Sequence, residues 1–189
     1  MSGHISRTCG DCSLCCKLLA IETIGKTRGQ WCRHCNVGSG CSQYSARPDE
    51  CREFHCGFLT IAALDESWRP SRSKLVLGIE AGGQTVFVHV DPDRPQAWRK
   101  EPYYSRLKEW SRAAAASRGQ VIVRIGKRAI VVFPDRDAEV GLVEDDECVA
   151  TSEVRGADGI RLDAIVMKLD DPRLKTQLSQ SSRRAIPLA

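Results

Sequence analysis

The sequence predicts an α+β fold in which a small cysteine-rich N-terminal lobe packs on a domain made of an antiparallel sheet and a helix. Three observations predict it. Nine of the ten cysteines fall between residues 9 and 56 of the 189-residue chain, in a stretch rich in Gly and Ser and poor in long apolar runs. Beyond residue 74, β-branched runs come in pairs around short turns. Between those pairs lies one amphipathic segment long enough for a helix. The composition change after Cys56 sets the expected boundaries: a lobe over 1–62, a linker over 63–73, the α+β domain over 74–175 and a flexible tail over 176–189.

Taken in order, the lobe comes first. A segment of about 60 residues rarely buries enough surface to fold without a staple. Within it, Pro48 followed by Asp49 and Glu50 marks a short helix, with Pro where no amide is needed and acids at the positive end of the dipole. Such a helix places Cys51 in its first turns and Cys51 and His55 on one face, which makes His55 a candidate nitrogen ligand. In the second part, LVLGIE (75–80) and TVFVHV (85–90) form a hairpin around Ala81-Gly82-Gly83-Gln84. Residues 103–117 form a helix, with Pro102 at its start and Gly119 just past its end. Its buried face is expected to carry Tyr104, Leu107, Ser111 and Ala114 or Ala115. VIVRI (121–125) and AIVVF (129–133) make a second hairpin around Gly126-Lys127-Arg128, and weaker strand signals follow at 147–154 and 160–168.

The composition narrows the function classes. Hydrophobic residues make up 42% and charged residues 28%, which removes collagen-like, wholly disordered and membrane-spanning readings. No apolar run approaches the roughly 18 residues of a membrane helix. The first thirty residues lack a basic segment followed by an apolar one, so a cytoplasmic protein without membrane partners is expected. Residues 1–60 carry seven Lys or Arg and five Asp or Glu, so the small excess of positive charge is spread evenly and marks no nucleic-acid face. In a reducing compartment a dense cysteine pattern points to metal rather than to disulfides.

The cysteines fall in three blocks. The first reads Cys9-Gly-Asp-Cys12-Ser-Leu-Cys15-Cys16, the second Trp31-Cys32-Arg33-His34-Cys35. Pairs separated by two residues suit a metal knuckle, because the tight turn aims both sulfurs at one ion. Sixteen residues separate Cys15 from Cys32, and 19 separate Cys12 from Cys32; both fit a zinc ribbon, so spacing leaves the register open. The third block, Gly40-Cys41 to Phe54-His55-Cys56, adds Cys41, Cys51 and Cys56. Adjacent Cys15 and Cys16 point apart and suit two sites, or one site and the core. Arg33, Arg47 and Arg52 lie close enough in sequence to offset thiolate charge. The first three cysteines match the start of a bacterial ferredoxin motif, but Cys16 follows at once and the terminal Cys-Pro is missing, which excludes that family. A 4Fe-4S cluster built from several blocks and a zinc site both remain open.

CGDCSLCCK, WCRHC and GCSQYSARPDECREFHC together resemble the CxxCxxCC cysteine-cluster family, also called the YkgJ family and described as a zinc- or iron-chelating domain. The resemblance covers about residues 9–60. It implies metal chelation by Cys9, Cys12, Cys15, Cys16, Cys35, Cys41, Cys51 and Cys56, with Cys32 in the WCRHC variant of the motif. In flagellin lysine methylases a similar segment is thought to hold an iron-sulfur cluster; nothing in 74–189 matches the methylase, so that activity does not carry over. The expected protein is a metal binder holding an iron-sulfur cluster and/or zinc, in a redox or metal-sensing role, and the alternative is a zinc-stapled interaction module. Cys148 stands alone among acids and reads as structural. His4 and His89 read as a tail residue and a strand-face residue. No P-loop, Rossmann, G-x-S-x-G or H-E-x-x-H motif is present.

Overall fold

The computed structural model describes residues 7–80, 83–156, 159–174 and 185–188. It is a mixed α/β structure. The N-terminal part is made of short pieces: α1 (Cys15–Leu18), β1 (Cys35–Asn36) paired antiparallel with β2 (Gly40–Cys41), α2 (Asp49–Glu53), α3 (Gly57–Thr60) and α4 (Pro70–Ser73). Then follow β3 (Leu75–Ile79), β4 (Thr85–Val90), α5 (Tyr103–Ala116), β5 (Gln120–Ile125), β6 (Arg128–Val132), β7 (Asp137–Leu142), β8 (Glu147–Gly156) and β9 (Gly159–Lys168). Strands β3 to β7 form one sheet in chain order, and β8 and β9 form a separate two-stranded ribbon.

Both expected hairpins are present, with Leu77 opposite Val88 and Val123 opposite Ile130. The turn residues Ala81 and Gly82 lie outside the described residues. The sheet is not purely antiparallel as the sequence suggested. Helix α5 fills the connection between β4 and β5 and carries the chain back to the starting end, so these strands run parallel, with Val88 beside Val123. Strand β7 gave no signal in the sequence. It is an edge strand without a buried residue, and its pairing with β6 shifts register at Ala129/Ile130, so its apolar alternation is broken.

The alternation of side chains divides the sheet into two faces. On one face, Leu75, Leu77, Val86, Val88, Val90, Val121 and Val123 pack under α5 and under Phe58, Ile61, Leu64 and Trp68. Helix α5 buries Leu107, Ser111 and Ala114 as its periodicity predicts, and also Trp110, whose ring lies 5.6 Å from that of Trp68. Residues 63–73, read above as a linker, thus carry α4 and give Leu64 and Trp68 to this core. Of the stretch read as a tail, only 185–188 are described, and there Ile186 is buried and donates its amide to Gly83 O at 2.8 Å.

The opposite face is covered at two places. Leu14 and Leu18 rest on Val76 of β3, while Val143 and Val149 rest on Ile122, Ala129, Val131 and Phe133. Between these covers lie Gly78, Phe87, His89 and Arg124, at the floor of a cleft of about 1070 Å³. The N-terminal part is fastened by few but specific contacts. Lys17 is buried and reaches Asp91 Oδ1 at 2.7 Å and Asp93 Oδ2 at 2.6 Å, just beyond β4. Arg7 donates to Phe58 O at 2.8 Å and to Leu64 O, and Arg69 donates to Cys9 O at 3.0 Å.

Candidate metal centre

Short turns, rather than long elements, present the cysteines. Cys12 N donates to Cys9 O at 2.9 Å, and the turn passes through Gly10 in the left-handed region, φ 54°. Cys35 N donates to Cys32 O at 3.0 Å in the same way. Cys32 N also donates to Cys16 O at 3.0 Å, which ties the second block to α1. Cys35 and Cys41 face one another across the β1–β2 ladder. Cys51 lies in α2 as expected, but the helix ends at Glu53, so His55 does not share its face; His55 is exposed, with Nδ1 2.7 Å from Glu53 O.

These turns gather the thiols into two adjoining neighbourhoods, with Cys16 within reach of Cys9 across them. Cys56 lies within electrostatic reach of Cys12 and Cys9, beside Leu14 and Val76. Cys16 interacts with Cys15 and Cys35, and Cys51 with Cys16, Cys32 and Cys41. The adjacent pair divides as the sequence suggested only in part: Cys15 touches the apolar cluster around Leu14 while remaining beside Cys16. Cys148 is remote, on β8 opposite Met167. All ten cysteines are free.

Crowding leaves its mark on the protons. A hydrogen bond with Cys15, then burial, pushes the Cys16 thiol well above the usual range. Burial, then the neighbouring Cys16, takes Cys35 up to about 11, and burial takes Cys56 up to about 11. Thiolate is therefore disfavoured here unless a cation joins the group. Three cations already stand close. Lys26 is buried, donates to Lys17 O at 3.0 Å and lies within reach of Cys32, Cys16, Cys15 and Cys51. Arg69 and Arg47 lie within reach of Cys9. Of the arginines singled out by sequence position, Arg33 donates to Ile24 O at 3.3 Å and Arg52 pairs with Asp49 at 3.1 Å. Lys26 and Arg69 were missed because chain folding, not spacing, brings them to the sulfurs.

Packing within the lobe is sparse. No residue from 27 to 56 is buried, although this span contains five cysteines, Cys32, Cys35, Cys41, Cys51 and Cys56, each half-buried. The thiols are gathered but not closed into a ligand shell. Among the described residues, no group of three or more His, Cys, Asp or Glu is arranged to hold an ion.

No family model matches the sequence, and no curated protein or solved structure is significantly similar to it. The likeness to cysteine-cluster proteins therefore rests on the quoted motifs alone. Among the described residues, no helix is long and apolar enough to cross a membrane.

Proposed function

We propose that this is a cytoplasmic metal-binding protein whose N-terminal lobe folds around cysteine-ligated centres, an iron-sulfur cluster and/or zinc, in a redox or metal-sensing role. One observation carries the reading: thirty consecutive residues, 27 to 56, take up a defined path with no buried side chain among them. Ordering each residue costs about 1–2 kcal/mol, which apolar burial elsewhere in the lobe cannot offset. Ligation by sulfur is the remaining source of cohesion in the residues present, and structural zinc alone contributes about 10–16 kcal/mol in small domains.

The donor set fits such a centre in its chemistry. Soft thiolates select zinc and iron-sulfur clusters over hard cations. The ligands would come from Cys15, Cys16, Cys32, Cys35, Cys41 and Cys51 in one neighbourhood, and from Cys9, Cys12 and Cys56 in the other. Six thiols in the first exceed the four that either one zinc or one 4Fe-4S cluster takes, so the set supplies a full ligand shell for either with thiols to spare. A bound iron-sulfur centre supplies one-electron chemistry, whereas zinc supplies only a cross-link. The chain's own contribution is charge: Lys26 beside one group and Arg69 beside the other offset the negative charge of ligated sulfur.

The second reading, a zinc-stapled interaction module without redox chemistry, is favoured by the two knuckle turns at Cys9–Cys12 and Cys32–Cys35 and by the β1–β2 hairpin that follows the second of them. Purification without oxygen separates the two. Brown protein with broad absorbance and stoichiometric iron and sulfide supports the first, and colourless protein with stoichiometric zinc supports the second. Protein that contains neither, and whose lobe stays protected from hydrogen exchange in chelator, would overturn both.

A further inference from the structure

We propose that the cleft between the N-terminal lobe and the β8–β9 ribbon binds a small phosphoryl-bearing molecule, whose phosphoryl group is held by Arg28 and Arg124 with His89 as third donor. No metal ion is itself part of this site.

The floor of the cleft is the part of this sheet face that lies between the two covers. His89 on β4 and Arg124 on β5 are register partners there, and both are nine-tenths buried, at 9% exposure each. Charged and polar residues at these two positions interrupt strands that are otherwise apolar, TVFVHV and VIVRI. Arg28 reaches the same place from the lobe, close enough that both guanidiniums act on His89 and Arg28 acts on Arg124. Two like charges are thus brought together, that of Arg124 on a side chain nine-tenths buried, which is costly unless an anion joins them.

The counter-charge supplied by the protein falls short. Asp145 Oδ1 stands 3.8 Å from Arg28 Nε, and the Asp145 side chain is 67% exposed. Arg124 Nη2 has a carbonyl, Val143 O, at 3.4 Å. Of the acids bordering the cleft, Glu50, Glu144 and Glu147 are engaged by Thr23, Lys127 and Lys168, while Glu53, Glu80 and Glu153 also border it but none of them pairs with Arg28 or Arg124. The Nε atoms of Arg28 and Arg124 are buried without a hydrogen-bond partner, and so are Gln84 Nε2 and Gln120 Oε1. Four of the six such atoms among the described residues therefore border this one cleft. Buried polar atoms are seldom left unsatisfied, so their clustering marks a place where a polar ligand belongs.

Charge and shape select the ligand. A phosphoryl dianion neutralises both guanidiniums and offers three oxygens to their forked donors, whereas one carboxylate neutralises only one. His89, held neutral by burial, adds an N–H without adding charge. Gly78 keeps the approach open: a Cβ there would stand 3.7 Å from His89 Nε2 and 3.4 Å from the Phe54 ring. Phe54, Phe87 and Ile122 give the remainder of the ligand an apolar wall.

Calorimetric titration of the full chain with inorganic phosphate, phenyl phosphate and the carboxylate tricarballylate tests the proposal. Wild-type protein should bind both phosphates saturably and phenyl phosphate more tightly. Arg28→Gln and Arg124→Gln should each weaken binding by about tenfold or more, and Arg106→Gln on the outer side of α5 should leave it unchanged. Arg28 lies in a loop, so R28Q keeps the test valid if R124Q fails to fold, and the His89 ring resonances should shift on titration in the wild type. No saturable phosphate binding up to about 10 mM, unchanged affinity in folded R28Q, or tricarballylate binding as tight as phenyl phosphate would each overturn it.

Discussion

Replacing Lys17 with Met should loosen the grip of the N-terminal lobe on the sheet. Lys17 is 7% exposed, and its ammonium lies between Asp91 and Asp93 and 5.8 Å from the centre of the Trp31 ring. Methionine keeps most of the apolar stem but removes the charge. Asp91, with a side chain 10% exposed, is then left with the amide of Asp93 at 3.1 Å as its remaining donor. Breaking a fully enclosed pair costs about 3–5 kcal/mol. Asp93 is 75% exposed and can rehydrate, so its share falls to that of a surface pair. The expected loss is about 2–3 kcal/mol, or about 4–12 °C in melting temperature for a chain of this size. The pH dependence has a definite sign. Burial pulls Lys17 down, but hydrogen bonds to Asp91 and Asp93 outweigh it and raise the group overall, so its contribution is complete below the ordinary lysine range and fades as pH rises through the raised value. The hydrogen bond from Lys17 holds Asp93 below the ordinary carboxylate range, so that contribution fades as pH falls through the lowered value. The difference between wild type and K17M should thus be flat between about pH 5 and 9 and shrink outside. Urea titrations of K17M, D91N and the double variant measure it. Stability of K17M within about 0.5 kcal/mol of wild type, or strict additivity in the double variant, would refute the reasoning.

Gly57→Ala should cost about 1–3 kcal/mol in urea denaturation, because its Cβ would stand 2.7 Å from Leu77 Cβ, a stem fixed to β3. His89 is pushed down to about 3, by burial first and then by Arg28 and Arg124, which face it. The unfolded chain therefore takes up a proton below about pH 6.5 that the folded chain refuses, and stability should fall by up to about 1.4 kcal/mol per pH unit as pH drops towards 3. In His89→Gln the denaturant midpoint should lose that component of its slope between pH 7 and 5. Cys16→Ser, Cys41→Ser, Cys51→Ser and Cys56→Ser should lose metal and soluble yield together, whereas Cys148→Ser should retain both; elemental analysis of the purified variants checks this, and full metal content in all four would refute the ligand assignment.

Periodicity and turn chemistry made most of the second half legible. The helix over 103–116, the two hairpins and the ribbon near 147–168 all follow from local pattern, because each buries one regular face. The parallel pairing of β4 with β5 did not, since strand direction depends on where a helix delivers the chain. Strand β7 escaped because an edge strand need not alternate. In the lobe, Cys spacing gave the turns at Cys9–Cys12 and Cys32–Cys35 but not which thiols meet, a matter of folding over tens of residues. The signal for the cleft was present in the sequence as His89 and Arg124, both at inward-facing positions of apolar strands. Alone, each reads as a satisfied strand residue; only the register that places them side by side, with Arg28 above, turns two exceptions into a site.

The metal reading and the phosphoryl reading meet at Arg28. This residue stands at the start of the span from 27 to 56 that buries no side chain of its own, so on the metal reading the position of its guanidinium beside Arg124 depends on the same segment. His89 and Arg124 stand on β4 and β5, which the core under α5 holds in place whatever the lobe does. One half of the anion site is thus built on the rigid sheet and the other on the part of the chain with the least packing. A ligand that bridges them draws the lobe towards the sheet, and a centre that orders the lobe presets Arg28 for the ligand. Linkage requires the two effects to be equal in free energy, so whatever factor the centre adds to anion affinity, the anion returns to retention of the centre.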